Sequence, residues 1–277
     1  MHYHQFAPSP LLSPYVEKYY VLEHHGLDHE ESFELASPAN CYTALVFNYG
    51  VAYQLCCQQG EMQLSGSFLA GYSTAAYHIR LQGQVGMIGV VFKSSVIRNW
   101  FAALGGEDIN DQRIGLSDLV GSEADSIIEQ VAQACDHPAR IRIVESYLVN
   151  RLRKTNYPMH LADHAIRLIL NHKGMIRMDD LANQLNVSPR HFRRMFSERV
   201  GLSPKFFARL KRFNYIRLAQ SRAVPIPWHE FVMDGGFYDQ SHFIKDWVAF
   251  CGQPPSAQAF QIRQMESRVT TSGYKAP

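Results

Sequence analysis

Apolar positions change their rhythm along the chain of 277 residues. Up to about residue 110 they gather in short runs rich in β-branched and aromatic residues. Cys41 to Tyr49 is one such run and ends at Gly50. Met62 to Leu64, Phe68 to Tyr72, Ala76 to Leu81 and Met87 to Phe92 follow, punctuated by Gly60, Gly66, Gly71, Gly83 and Gly86. Short strands between glycine turns predict a sandwich or small barrel. From Val96 the spacing becomes helical, through Ile97, Trp100, Phe101 and Leu104, and stops at Gly105-Gly106. Two further helices are predicted, over Ser122 to Cys135 and from about Pro138 to Arg153. The second carries Ile141, Val144, Leu148 and Leu152 in one stripe close to a coiled-coil seam. Such a stripe serves either packing on its own domain or a dimer contact. Lys154 to Pro158 reads as a linker.

Beyond that linker the pattern repeats. Ser188-Pro189-Arg190-His191-Phe192-Arg193-Arg194-Met195-Phe196 is followed by Gly201-Leu202-Ser203-Pro204. Asp239-Gln240-Ser241-His242-Phe243-Ile244-Lys245-Asp246-Trp247, then Gly252-Gln253-Pro254-Pro255, repeats it 51 positions on (188 to 239, 201 to 252). Each unit reads as a helix-turn-helix. In the first, Leu181, Ala182 and Leu185 line a short helix ending near Asn186. Ser188 caps the next, with Pro189 at a position where a missing N–H costs nothing. Phe192, Met195 and Phe196 face inward, whereas Arg190, Arg193, Arg194 and Ser197 fall on the opposite face. A basic stripe on a short capped helix suits the major groove, since arginine forks match guanine O6 and N7. In the second unit Phe231 and Val232 stand where the first has Leu181 and Ala182. The outward positions of its second helix are Gln240, Ser241, Ile244 and Lys245, a less cationic surface that also carries Asp246. Between the units Pro204 to Ser221 predicts an amphipathic helix, with Phe206, Leu210 and Phe213 inward and Lys205, Arg209 and Arg212 outward.

Charge sharpens this division. Up to Thr155 there are 10 Lys/Arg against 16 Asp/Glu, a net −6; the remainder has 17 against 9, a net +8. A basic C-terminal part behind an acidic front points to a polyanion partner for the former. No stretch of about 18 apolar residues is present, so no membrane span or membrane partner is expected. Met1-His2-Tyr3-His4-Gln5 lacks the basic-then-apolar run of a signal peptide. Cys41, Cys56, Cys57, Cys135 and Cys251 are scattered and odd in number, which suits a reducing compartment. A soluble, cytoplasmic, nucleoid-associated protein is expected.

Over Leu161 to Ile262 the chain resembles the AraC/XylS family of bacterial transcription regulators, most specifically in Gly236-Phe237-Tyr238-Asp239-Gln240-Ser241-His242-Phe243 with Gly252 and Pro255. The resemblance implies seven helices, with two helix-turn-helix subdomains joined by a linker helix. It places Arg190, Arg193 and Arg194, with Ser197 and His191, at DNA-contacting positions of the first unit, and Gln240, Ser241 and Lys245 at those of the second. Three residues depart from the family pattern: Val232 for a small Ala, Asp246 for a basic or neutral residue, and Trp247 for Phe. The start of the chain, Pro8 to Val16 with Tyr19-Tyr20, and Gly89-Val90-Val91-Phe92 are similar to one subgroup with a cupin-like sensor domain. The fold class implied is α+β: a cupin-like β-barrel with a helical appendage, then an all-α domain. The expected divisions are 1–110 (sensor), 111–157 (helical dimerisation and linker region), 158–265 (DNA-binding domain) and 266–277 (flexible tail). Expected partners are double-stranded DNA, a small-molecule effector, RNA polymerase and a second copy in a homodimer, with activation as the regulatory sense.

Effector binding is expected in the barrel mouth, where Tyr42, Phe47, Tyr49, Tyr53, Tyr72, Tyr77 and Phe92 would supply aromatic lining, with His78 on a strand beside them. Ile141, Val144, Leu148 and Leu152 are the candidate dimer contact. No metal or other cofactor is expected. His78 has no His or Glu two residues away, His2 and His4 stand in a terminal segment expected to fray, and His24, His25 and His29 lie in an acidic loop. Cys56-Cys57 lacks a Cys-x-x-Cys partner. No catalytic residue is assigned and no enzyme is expected. The competing classes are a cupin-type metal enzyme, a DNA-repair methyl acceptor fused to a DNA-binding module, and a ligand-free dimeric regulator.

Overall fold

The computed structural model describes residues 1–24, 32–57, 60–64, 66–93, 96–97, 100–101, 104, 107–154, 160–220, 237, 239–255 and 270–275. Ten strands open the chain: β1 (His2–Phe6), β2 (Val16–His24), β3 (Ser32–Ser37), β4 (Thr43–Asn48), β5 (Tyr53–Cys57), β6 (Gly60–Leu64), β7 (Phe68–Ala70), β8 (Tyr77–Gln82), β9 (Val85–Phe92) and β10 (Arg113–Gly115). The helices follow: α1 (Leu116–Val120), α2 (Glu123–Gln133), α3 (His137–Lys154), α4 (Leu161–Asn171), α5 (Met178–Gln184), α6 (Pro189–Val200), α7 (Pro204–Gln220) and α8 (Gln240–Cys251). A last strand, β11 (Thr270–Lys275), ends the described chain. The fold is α+β, as expected.

The strands form two sheets rather than one closed barrel. Seven are ordered β10-β7-β4-β9-β2-β1-β11 and four β3-β8-β5-β6. One core lies between the sheets, with Leu22, Ala44, Val46, Phe68 and Met87 facing Tyr53, Leu55, Leu64 and Leu81. The opposite face of the larger sheet presents Tyr19, Val21, Leu45, Phe47, Ile88 and Val90 to Trp100, Ile127, Val131, Val144 and Leu148. Every residue of β4 and β9 is therefore buried. That is why Thr-Ala-Leu-Val-Phe-Asn and Val-Gly-Met-Ile-Gly-Val-Val-Phe read as unbroken runs rather than alternations. Gly89 is required in this wall, because a Cβ there would collide with the Tyr20 ring on the neighbouring strand.

Three expectations are corrected. Residues 266–277 include β11, which runs parallel to β1 rather than hanging as a free tail. β1 ends the antiparallel part of the sheet, and its outer backbone groups are taken up by β11, which becomes the edge. β1 itself, with His2 and His4, is held between β2 and β11 and is not a frayed end. The stripe on α3 is internal: Val144 and Leu148 are fully buried within this chain, and Ile141 and Leu152 pack against the same core. Trp100 Nε1 donates to the Leu148 carbonyl at 3.0 Å, anchoring the indole against that helix. The seam seals α3 to its own domain, which leaves Val144 and Leu148 no surface to offer a second copy. The expected linker, apart from Lys154, lies outside the described residues, as does most of the helix predicted from Val96 to Leu104, although Ile97, Trp100, Phe101 and Leu104 are buried.

Candidate nucleic-acid interface

α5 and α6 meet through a left-handed turn at Asn186 (φ 55°). Leu181 and Ala182 are buried on α5. The Ser188 side chain accepts from the His191 N–H, with Pro189 in the first turn, and Gly201 ends α6 in the left-handed conformation (φ 81°). Phe192, Met195 and Phe196 are buried; Arg190, His191, Arg193 and Arg194 are exposed, and Ser197 is half-buried. Arg194 shares its surface with Glu198 one turn on, 3.8 Å away.

α8 reproduces this construction. The Asp239 carboxylate accepts from the His242 N–H at 2.7 Å, and Gly252 closes the helix at φ 75°. Phe243, Trp247 and Phe250 are buried, while Gln240, Ser241, Ile244 and Lys245 are exposed. The Trp in place of Phe fits its surroundings, edge-on to Phe213 with ring centres 5.1 Å apart. Val232, Phe231 and the turn before Phe237 lie outside the described residues, which hold five helices of this half, α4 to α8.

Asp246 is not part of the exposed surface. Its side chain is buried, 2.6 Å from Arg209 Nη2 and 3.3 Å from Arg212 Nη2, both on α7. Arg212 is correspondingly internal rather than outward, stacked 4.0 Å over the Phe237 ring, and Arg209 is half-buried. Burial lowers the Arg212 pKa and the carboxylate acts against that shift. A charge taken from water survives only when paired, and this triad supplies the pairing. Lys205 on α7 remains exposed, and Leu210 and Phe213 are buried as expected, with Phe206 half-buried.

The front sheets hold both units at their ends. Asn110 Nδ2 donates to the Gly201 carbonyl at 2.6 Å, behind α6. The Ala39 N–H donates to the Phe250 carbonyl at 2.8 Å, at the end of α8, and Asn214 Nδ2 donates to the Ala39 carbonyl at 3.2 Å. Tyr72 packs edge-on to Phe207 of α7.

The residues expected to line a pocket separate onto two faces. Tyr53 belongs to the core between the sheets, with Tyr3, Tyr20 and Tyr77 packed against it. Tyr42 is 39% exposed as a residue, yet its hydroxyl is raised by desolvation first and then by Tyr77 and Tyr3. Phe47, Tyr72 and Phe92 instead point to the other core, against the helices. Tyr49 also lies on that side, donating to Glu23 Oε1 at 2.6 Å beneath the Arg140 guanidinium. These four pack toward the helices rather than between the sheets. His78 is exposed on β8. Lys18, Tyr20 and Leu22 alternate in β2 with Tyr19 and Val21, which face the helices.

Among the described residues no three His, Cys, Asp or Glu side chains are grouped to hold a metal, and no helix is long and apolar enough to cross a membrane. His25 and His29 lie outside the described residues.

Residues 181–259 match a helix-turn-helix domain family, and the capped pair α6 and α8 lies within them. The C-terminal half carries an AraC-type helix-turn-helix domain. Ahead of this AraC-type domain, residues 4–115 match a domain of unknown function, DUF6597. Among solved structures the chain is similar to ToxT from Vibrio cholerae, at 14% identity over 87% of this chain and 96% of that one, with a TM-score of 0.48. The chain is also similar to the C-terminal domain of AraT, a response regulator from Geobacillus stearothermophilus, at 21% identity over 40% of this chain and 89% of that one, with a TM-score of 0.35. No curated protein matches the chain. The chain thus carries a helix-turn-helix domain of the kind that grips DNA.

Proposed function

We propose that this regulator reads an operator through both helix-turn-helix units under the control of a small molecule held by its front half. Residues 1–110 act as the sensor, 111–157 as the helical connection and 158–265 as the DNA-binding domain. The observation that carries the reading is the matched construction of α6 and α8. Each has a side-chain cap on the N–H three residues on, a buried aromatic face and a left-handed glycine stop. α7, a helix of 17 residues and so about 25 Å long, joins them. They enter successive major grooves, about 34 Å apart, on one side of the duplex.

Arg190, Arg193 and Arg194 contact bases and phosphates from α6, with His191 and Ser197 at its margins. Gln240, Ser241 and Lys245 do so from α8. Binding leads to activation through RNA polymerase, and a homodimer uses a surface other than the α3 stripe. Arg190→Ala and Arg194→Ala each cost about 1–3 kcal/mol of specific binding. Titration against operator and scrambled duplex tests this. Equal loss on both duplexes would show that the two arginines touch only phosphate.

A further inference from the structure

α6 and α8 present the same positions of the repeat but not the same chemistry. At the places that Arg190, Arg193, Arg194 and Ser197 hold in α6, the second unit has Ser241, Ile244, Lys245 and Val248. All four of the latter are exposed, Ile244 by 38% and Val248 by 40%. They share one face of α8, because residues three and four apart are neighbours on a helix. The opposite face is closed by Phe243, Trp247 and Phe250. Asp246, next to Lys245 in sequence, is turned beneath the surface to Arg209 and Arg212. The four outward positions therefore offer a hydroxyl, a cation and two branched aliphatics, and the carboxylate that would repel phosphate is withdrawn from them.

The aliphatic pair is the informative part. A single exposed aliphatic is ordinary on a protein surface, but two of them one turn apart at recognition positions form a patch. Both are β-branched, which lowers helix propensity and confines χ1 almost to one rotamer. Ile244 and Val248 thus hold their methyl groups in fixed places, and meeting a partner costs them little further side-chain entropy. In the major groove the feature that answers an aliphatic is the thymine 5-methyl, the apolar group on a base-pair edge. Arginine at the same position of α6 matches guanine instead. Four helical residues rise about 6 Å, or about two base steps of about 3.4 Å each. Lys245, between the two aliphatics in sequence, supplies a charge for the phosphates beside them.

We propose that α8 reads its half of the operator through thymine methyl groups, with Ile244 and Val248 as the residues that set specificity there. The inference rests on the reading of α8 as a second recognition helix. Its consequence is a two-part operator. A guanine-bearing segment lies under α6, and a thymine-bearing segment lies under α8 about ten base pairs away.

The test starts from duplexes that the full chain selects out of a random-sequence pool. The selected site carries guanine in one segment and thymine in the other. Uracil in place of thymine keeps the base pairing and removes only the 5-methyl. In the thymine segment this replacement weakens binding about fourfold for each methyl that meets an aliphatic. In the guanine segment it changes affinity by less than about twofold. Ile244→Ala and Val248→Ala each narrow the gap between thymine and uracil duplexes, and the double variant closes it to less than about twofold. Near-ultraviolet circular dichroism confirms that the variants fold. A selected site whose second segment lacks thymine, equal affinity for thymine and uracil duplexes, or a gap that survives in the double variant overturns the proposal. If the selected duplex is still preferred over scrambled DNA without any dependence on the methyl groups, only the methyl readout falls, and the aliphatic pair then belongs to a contact with another protein. If no sequence is enriched and no duplex is held in a salt-sensitive manner, the proposed function falls with it.

Discussion

Asp246 on α8 and Arg209 on α7 meet at 2.6 Å, and the same carboxylate reaches Arg212 at 3.3 Å. The second recognition helix is thus fastened to the connecting helix by a charge cluster beneath its exposed face. Asp246→Ala leaves two partly buried guanidinium groups without this carboxylate, and the expected loss is about 3–5 kcal/mol. Urea unfolding of the full chain measures it. A loss within 0.5 kcal/mol or so, the usual range for surface substitutions, would mean that the cluster is solvated in solution.

The matched caps predict matched losses. Ser188→Ala and Asp239→Ala each remove an acceptor for the N–H three residues on, at 3.2 and 2.7 Å. Each is expected to cost about 1 kcal/mol of stability, and glycine at either site only a few tenths. Chemical denaturation of the four variants gives the comparison.

The two recognition helices differ in charge. α6 exposes Arg190, Arg193 and Arg194, whereas α8 exposes Lys245 beside the neutral Gln240 and Ser241. Arg193→Ala therefore lowers operator affinity more than Lys245→Ala does, and flattens the salt dependence by about one counterion. A footprint dominated by the Gln240 half of the operator would reverse the ranking.

His137 introduces a pH dependence into the front half. It faces Glu23 at 3.5 Å, with His4, Arg140 and Asp136 around it. Burial, His4 and Arg140 together lower its pKa below the ordinary value of 6.5, against the pull of Glu23 and Asp136. The folded state thus resists the proton that the unfolded chain accepts. Stability from this group is complete above pH 6.5 and declines as the pH falls from there toward the folded-state pKa. Denaturation midpoints between pH 5 and pH 8 should fall on the acid side in the parent chain and less steeply in His137→Gln.

The first helix-turn-helix unit was legible residue by residue because its information is local. Ser188, Pro189, the Phe192–Phe196 face and Gly201 all signal within one helix. Asp246 is illegible for the opposite reason: its partners lie more than thirty residues earlier, and nothing near it in sequence marks it as buried. The aromatics of the front half were recognised as a group but not sorted by strand face, so Phe47 and Tyr72 were joined with Tyr42 and Tyr53. The α3 stripe had the right period, but a period does not say whether the covering surface belongs to the same chain.

Because β4 is covered on both sides, Leu45 and Val46 answer to different neighbours although one peptide bond joins them. The strand behaves as a party wall between two rooms. Whatever thickens or shifts it from the tyrosine side is felt at once by Trp100, Val144 and Leu148 on the other. Such a partition leaves no position along β4 where evolution could adjust one compartment without renegotiating the other.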